Sequence, residues 1–282
     1  MASELEQLPA GLEPAPAEGR AAATARLRDS GYALATVAVV FAFVEGLSRF
    51  DVLPSSSFPP LTQTFQTLGE ELGRGEFWRN VRDTLKGWAY GLGIATALAV
   101  PLGILIGASP LAYRAVRPIV EFLRPIPSVA LVPLAVLVYG TGFESKLFLV
   151  VFASFWPVFI QTLYGIRDVD QLMVDTARSY GLGRFARTRF VVLPSALPYV
   201  ATGLRISSSV ALILAVTAEL VIGAPGLGAA ITIANASGNV RLMYALIVAT
   251  GLLGWILSML FTQGERRVLH WHPSQRRVRA AT

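Results

Sequence analysis

The sequence predicts an all-α membrane protein with about six transmembrane helices, and three observations carry that prediction. Hydrophobic residues make up 54% of the 282 and charged ones only 15%, more apolar surface than one water-soluble core of this length uses. Apolar runs recur at 31–48, 84–107, 119–139, 145–164, 197–222 and 241–262, each near the roughly 20 residues that a membrane-spanning helix requires. The arginines collect beside those runs rather than among exposed aromatics, which reports membrane topology and not nucleic-acid binding. With the N-terminus cytoplasmic, that side receives the arginines before residue 30, those of the 165–195 loop and those of the tail. The opposite side holds basic residues offset by Asp51, Glu70, Glu71, Glu76, Asp83 and Glu144. Both termini are therefore predicted to be cytoplasmic.

Residues 1–30 are rich in Ala, Pro and Glu and read as a disordered cytoplasmic lead, because no small-residue cleavage site follows the first apolar run. Residues 31–262 form the transmembrane domain. An external loop, 49–83, opens with a Pro/Ser break and then carries an amphipathic run from Leu61 to Leu72, read as a short interfacial helix or a solvated connector. The second helix carries Gly87, Gly91, Gly103 and Gly107, two pairs at i, i+4 that let another backbone approach closely. Pro101 between them removes one helical hydrogen bond and bends the helix. In the third helix, Glu121 and Arg124 lie three apart on one helical face, where an ion pair at the interface contributes little.

The fifth helix holds Arg205 and Glu219 in an otherwise apolar segment. A charge at mid-bilayer costs at least about 2.5–3.5 kcal/mol, so such residues face a bundle interior or a watery path. Arg205 lies about 13 Å beyond Ala196, and Glu219 about 21 Å further, toward the external surface. Ser207, Ser208 and Ser209 either line a polar path or bond back to their own carbonyls. Gly223 to Gly228 is a glycine-rich turn, and residues 263–282 form a basic cytoplasmic tail with His270 and His272.

Several chemistries are excluded or unsupported. Without cysteine there are no disulfides and no thiolate nucleophiles or ligands, and two tail histidines without companions make no metal site. The two lysines, Lys86 and Lys146, follow Leu85 and Ser145, so the Gly-Lys-Ser/Thr of a phosphate-binding loop is absent. No catalytic residue and no bound cofactor are assigned.

The loop 165–195 is long for a connector. Its pattern favours short helices, with Ala177 and Gly181 one turn apart on one face as a small-residue strip. Arg178, Arg184, Arg187 and Arg189 surround it, able to pair with a partner's carboxylates or with anionic lipid. Asp175-Thr176-Ala177, then Gly181, Val191 and Leu193-Pro194 fall at every spacing of the signature loop of binding-protein-dependent transport permeases, with Asp and Thr where that family has Glu and Ala. The continuation through Gly203-Leu-Arg205 and Glu219 resembles the nitrate, sulfonate and taurine subgroup of these membrane subunits.

The resemblance, over most of residues 80–265, implies the type I ABC importer permease fold in a bacterial inner membrane. It implies a homodimer forming the path, two copies of a cytoplasmic ATPase carrying ATP and Mg, and a separate solute-binding protein. Asp175, Thr176, Ala177, Arg178, Gly181, Leu193 and Pro194 become the coupling element toward the ATPase. Arg205, Ser207, Ser208, Ser209 and Glu219 become candidates for the path of a small, anionic solute, while Arg205 paired with Glu121 or Glu219 is the structural alternative. Glu121 and Arg124 become candidates for a gate. A secondary transporter or channel is the competing reading, opposed by the lack of an internal repeat and by one deep charge.

Overall fold

The computed structural model describes residues 32, 35, 36, 38–50, 54 and 57–269. The lead 1–30, part of the first apolar run and the tail from His270 onward lie outside them. Among the described residues there are helices and turns and no strand. The chain divides into two compact units, Met1–Thr64 and Phe65–Thr282.

In the first unit, residues 38–49 form helix α1, where the first apolar run predicts one. Glu45 pairs with Arg49 one turn on, at 2.7 Å, and accepts from the backbone N–H and hydroxyl of Thr62 at 3.2 and 2.8 Å. Thr62 lies in the first turn of α2 (Leu61–Leu72), whose opening N–H groups have no intrahelical acceptor. The bounds of α2 are those of the amphipathic run.

The second unit is built on three long helices, α3 (Gly75–Gly107), α6 (Phe143–Arg167) and α9 (Leu193–Ile222). On α3 every fourth residue from 87 to 107 is small and buried: Gly87, Gly91, Ala95, Ala99, Gly103 and Gly107. The predicted glycine pairs are thus the two ends of one continuous ridge of the i, i+4 kind that packs into a neighbour's groove. A Cβ on Gly87 would come 2.8 Å from Lys146, one on Gly103 2.8 Å from Thr162, and one on Gly107 3.0 Å from Ile166. Each partner lies 59 positions further along, so α3 and α6 run parallel in fixed register. On the other side of α6, Gly165 meets Tyr199 and Gly203 meets Gln161, so α9 runs antiparallel to it.

Because α3 and α6 run the same way, the chain between them must travel back. It does so as α4 (Pro110–Leu123), a 3-10 turn (Ser128–Leu131) and α5 (Val132–Tyr139), two limbs bent by 82°. This corrects the single helix predicted over 119–139. Pro125 and Pro127 offer no N–H to a continuing helix, and α4 starts earlier, at Pro110 behind Ser109, whose hydroxyl accepts from Ala112 N at 3.3 Å, an N-cap with proline at its favoured first position.

After α9, α10 (Leu227–Ala236) turns the chain into α11 (Val240–Val268). This last helix runs antiparallel to α9, with Gly254 against Leu212, and continues beyond the predicted end at 262. Leu227, Ile231 and Ala234 of α10 and Ala245, Leu246 and Ala249 of α11 share a core with Phe77 and Val81 of α3. Among the described residues four helical stretches are long and apolar enough to cross a membrane, and the bent pair makes five. The sixth predicted span is the partly described α1.

Candidate functional site

Two groups of residues stand at opposite ends of the three-helix block, and each is built by the ends of the helices that frame it. Pro194 and Glu219 are 25 residues apart on α9, about 37 Å at 1.5 Å per residue.

At the Pro194 end lies the loop. Helix α7 (Gln171–Ser179) starts at Asp170, whose carboxylate accepts from Leu172 N at 2.8 Å. It stops where Leu182 N–H donates to Ala177 O at 3.1 Å and Gly181 N–H to Arg178 O at 3.0 Å, with Gly181 at φ +78°. This Schellman closure requires the left-handed backbone that glycine adopts without cost. Of the expected small-residue strip, Ala177 is buried, whereas Gly181 reverses the chain, and a Cβ there would meet nothing of this chain within 4 Å. Within the chain it is backbone sign that calls for glycine there.

Helix α8 (Arg184–Arg187) and a π turn (Thr188–Val192) lead directly into α9. Leu193 and Pro194 open that helix, where a missing proline N–H leaves no bond unmade. The Tyr199 hydroxyl donates to the Asp168 carboxylate and ties α9 to the start of the loop. Leu172, Met173, Thr176, Tyr180, Phe190 and Pro194 line a groove. Four of them, Leu172, Met173, Tyr180 and Phe190, are more than half exposed. They give the groove an exposed apolar lining. Asp175 is exposed beside it and accepts from Gln171 at 3.4 Å, and Arg178 stands exposed in the last turn of α7.

At the other end, Lys146 and Glu219 form an ion pair at 3.1 Å with side chains 1% and 0% exposed. Every ammonium proton has an acceptor, and each carboxylate oxygen has a donor. The Lys146 ammonium also donates to Asp83 O at 3.0 Å and Pro225 O at 2.9 Å. The second Glu219 oxygen accepts from Thr84 Oγ1 at 2.9 Å and from Gly228 N at 3.0 Å, and Thr84 in turn accepts from Leu227 N at 2.9 Å. Three helices and the 223–228 turn are thus joined at one point. Gly226, at φ +153°, leaves the room that the carboxylate occupies, since a Cβ there would fall on it, and Gly228 lets the turn approach the α9 backbone at Val216 O and the Cβ of Glu219.

This site corrects the reading of α9. Glu219 stands at the end of α9 far from the loop, as expected, but as a candidate for the path it is enclosed, its side chain 0% exposed and paired with Lys146, so it faces no open path. Arg205 pairs with neither Glu121 nor Glu219; its Nη1 lies 3.4 Å from Glu265 of α11, with the arginine side chain 42% exposed. Ser207 donates across to Ser154 O of α6 at 2.7 Å, neither to its own helix nor to a lumen, and Ser208 is buried with its carbonyl accepting from Trp88 at 3.0 Å. Ser209 is exposed. On α4, Glu121 pairs one turn back with Arg117 at 2.7 Å and not with Arg124, which caps the helix end and lines the same small cavity.

Lys146 was missed because it stands one turn inside α6, where a lysine reads as reaching back to the interface. The available signal was its sign: a lone cation and a lone anion near corresponding ends of two apolar helices call for each other.

Residues 99–270 match the family described as the binding-protein-dependent transport system inner membrane component. The taurine transport system permease protein TauC of Escherichia coli (strain K12) is 30% identical over 244 residues, 85% of this chain and 89% of that one. The nitrate import permease protein NrtB of Leptolyngbya laminosa is 31% identical, over 68% of each chain. A putative aliphatic sulfonates transport permease protein of Bacillus subtilis (strain 168) is 28% identical, over 84% of this chain and 86% of that one. Among solved structures, the MetNI methionine ABC transporter in an inward-facing conformation superposes with a TM-score of 0.60 at 20% identity, covering 68% of this chain and 96% of that one.

Proposed function

The chain belongs to the binding-protein-dependent transport system inner membrane component family, and from that premise we propose that it is the permease subunit of an ATP-driven importer of a small oxyanion. On this reading it sits in a bacterial inner membrane with both termini cytoplasmic, pairs with a second copy, and receives solute from a separate binding protein. Two copies of an ATPase, which carry the ATP and Mg, dock on the 165–195 loop. The chain itself does no chemistry.

The observation that carries the reading is the loop groove. Leu172, Met173, Tyr180 and Phe190 present apolar surface away from the helices, on a short helix whose two ends are fixed by Asp170 and Gly181. Its sequence has the family's coupling spacing from Asp175 to Pro194. A partner surface seated there gains apolar contact on α7 and on Phe190, which stands in the π turn that continues without a break into α9, and so moves α9 when it moves.

For the solute, support comes from the relatives' named substrates, taurine, nitrate and aliphatic sulfonates, and from the open stripe on α9. Ile206, Ser209, Ile213 and Leu220 are its exposed positions, with partly exposed Arg205 at the edge. We place the path along this stripe, where Arg205 offers a charge and Ser209 a hydroxyl to an anion. Glu121 and Arg124 lie on the exposed surface of α4 and its cap, where a gate at the cytoplasmic end would act.

The test is reconstitution of the protein with and without its ATPase in liposomes, with uptake of labelled taurine, nitrate or a short alkanesulfonate measured under ATP or under an ion gradient. Uptake that requires both ATPase and ATP is expected. Uptake that follows the gradient and ignores ATP would overturn the proposal in favour of a secondary transporter.

A further inference from the structure

We propose that a second cavity, behind α7, binds a phosphate-type anion. It lies on the opposite side of α7 from the groove assigned to the ATPase, and the two adjoin only at Val169, just before that helix. Gln171 and Val174 line the cavity, whereas Leu172, Met173 and Thr176 line the groove. At 100° per residue these two sets point in opposite directions from the axis of α7.

The cavity is about 530 Å³ and is lined by three arginines, Arg167, Arg184 and Arg187, with the hydroxyl-bearing Thr188 beside them. Such a volume lies in the range of small-ligand sites. No carboxylate lines it, and among the described residues none of the three arginines takes part in an ion pair. The last turns of α3 and α6 also reach it, through Gly107 and Arg167, and each helix C-terminus contributes about half a negative charge. Three arginines less two such ends leave about two positive charges uncompensated.

Arg167 is held in place over the Tyr113 ring, 3.8 Å from its centroid, a contact that uses none of its N–H donors. Planar forks of donors match the oxygens of phosphate. Apart from Gln171 the remaining wall is apolar, with Ile104, Ile166 and Val192, and it lies at the ends of membrane-crossing helices. An acidic phospholipid head group with its glycerol end against those side chains meets both requirements; free phosphate meets only the first.

The experiment uses the full chain in detergent micelles with fluorescent phosphatidylglycerol or phosphatidylcholine as probe and inorganic phosphate as competitor. Preferential binding of phosphatidylglycerol is expected, weakened about fivefold for each of Arg167→Gln, Arg184→Gln and Arg187→Gln. Arg178→Gln with Arg189→Gln removes two charges outside the cavity and is expected to leave binding unchanged. Competition by inorganic phosphate assigns the site to free phosphate, and its failure assigns it to the lipid; either outcome supports an anion site. Equal binding of the two lipids without phosphate competition would overturn it, as would equal losses in the cavity and control variants, which mean diffuse attraction. Unchanged lipid binding in the cavity variants together with loss of a co-purifying ATPase would assign the arginines to a protein partner and also overturn it. Each single variant is checked by gel filtration, so that an unfolded one is replaced by the other two.

Discussion

Removing one partner of the Lys146–Glu219 pair should damage the fold far more than removing both. In Glu219→Gln the ammonium of Lys146, 1% exposed, keeps two carbonyl acceptors, Asp83 O and Pro225 O, but loses its counter-charge. In Lys146→Met the carboxylate keeps Thr84 and Gly228 N–H and loses its cation. Stranding one member of a buried pair costs about 3–5 kcal/mol, whereas replacing both by groups of similar volume is close to neutral. For a unit of this size each kcal/mol moves a midpoint by roughly 2–4 °C, so each single variant should lose about 6 °C or more. The double variant should recover at least half of that drop. The assay is thermal unfolding in detergent followed by gel filtration of a fluorescent fusion, in a full double-mutant cycle. A double variant that falls by as much as both singles combined would refute the argument, because additive losses mean two independent polar groups.

Gly181→Asn, which tolerates positive φ, should retain ATPase co-purification, while Gly181→Val should lose it, since a left-handed backbone costs about 1–2 kcal/mol for an ordinary residue; equal retention would show that the closure of α7 does not matter for docking. On α3, Gly91→Ala drives a methyl into Val150 and should destabilise by about 1–3 kcal/mol, whereas Gly93→Ala, with nothing within 4 Å, should be tolerated, and matched thermal midpoints compare them. Arg205→Gln should reduce uptake of an anionic solute while leaving ATPase co-purification unchanged, with Arg205→Lys restoring part of the uptake; unaltered uptake would remove Arg205 from the path.

What the sequence made legible has a common physical form. The amphipathic run of α2, the glycine ridge of α3 and the spacing of the 165–195 loop are local patterns, each readable within a few helical turns. What it hid depends on distance or on backbone sign. Lys146 and Glu219 are 73 residues apart, and each alone imitates a charge reaching for the interface. Ala95 and Ala99 continue the ridge on α3, but alanine in a membrane helix attracts no notice without the helix that packs on it. Gly181 has the same letter as Gly91, yet one is glycine for its φ and the other for the Val150 side chain that lies against it. The break near Arg124 was announced by Pro125 and Pro127, but membrane helices often absorb proline. Only the parallel course of α3 and α6 makes a return limb necessary there.

The same parallel course bears on how the loop could act at a distance. The α3–α6 contact presses side chains of α6 against bare backbone at Gly87, Gly91, Gly103 and Gly107, with buried Ala95 and Ala99 between them. Sliding one helix past the other would therefore have to lift every contact at once, and such packing is bistable or rigid rather than continuously deformable. Antiparallel α9 is joined to α6 by Gly165 and Gly203 near the loop and by the Lys146–Glu219 pair far from it. Displacement of α7 by a docked ATPase would then carry α3, α6 and α9 as one body. The break in the chain between α3 and α6 lies in the limb whose helices meet at 82°, with Pro125 and Pro127 at the bend, while its second half packs on α6 and α9 through Val132 and Ala135. On the proposed function the bent limb is where the inward and outward states should differ most. The buried ion pair, by the same reasoning, should persist in both, because parting it in either state would leave two buried charges without their counter-charge.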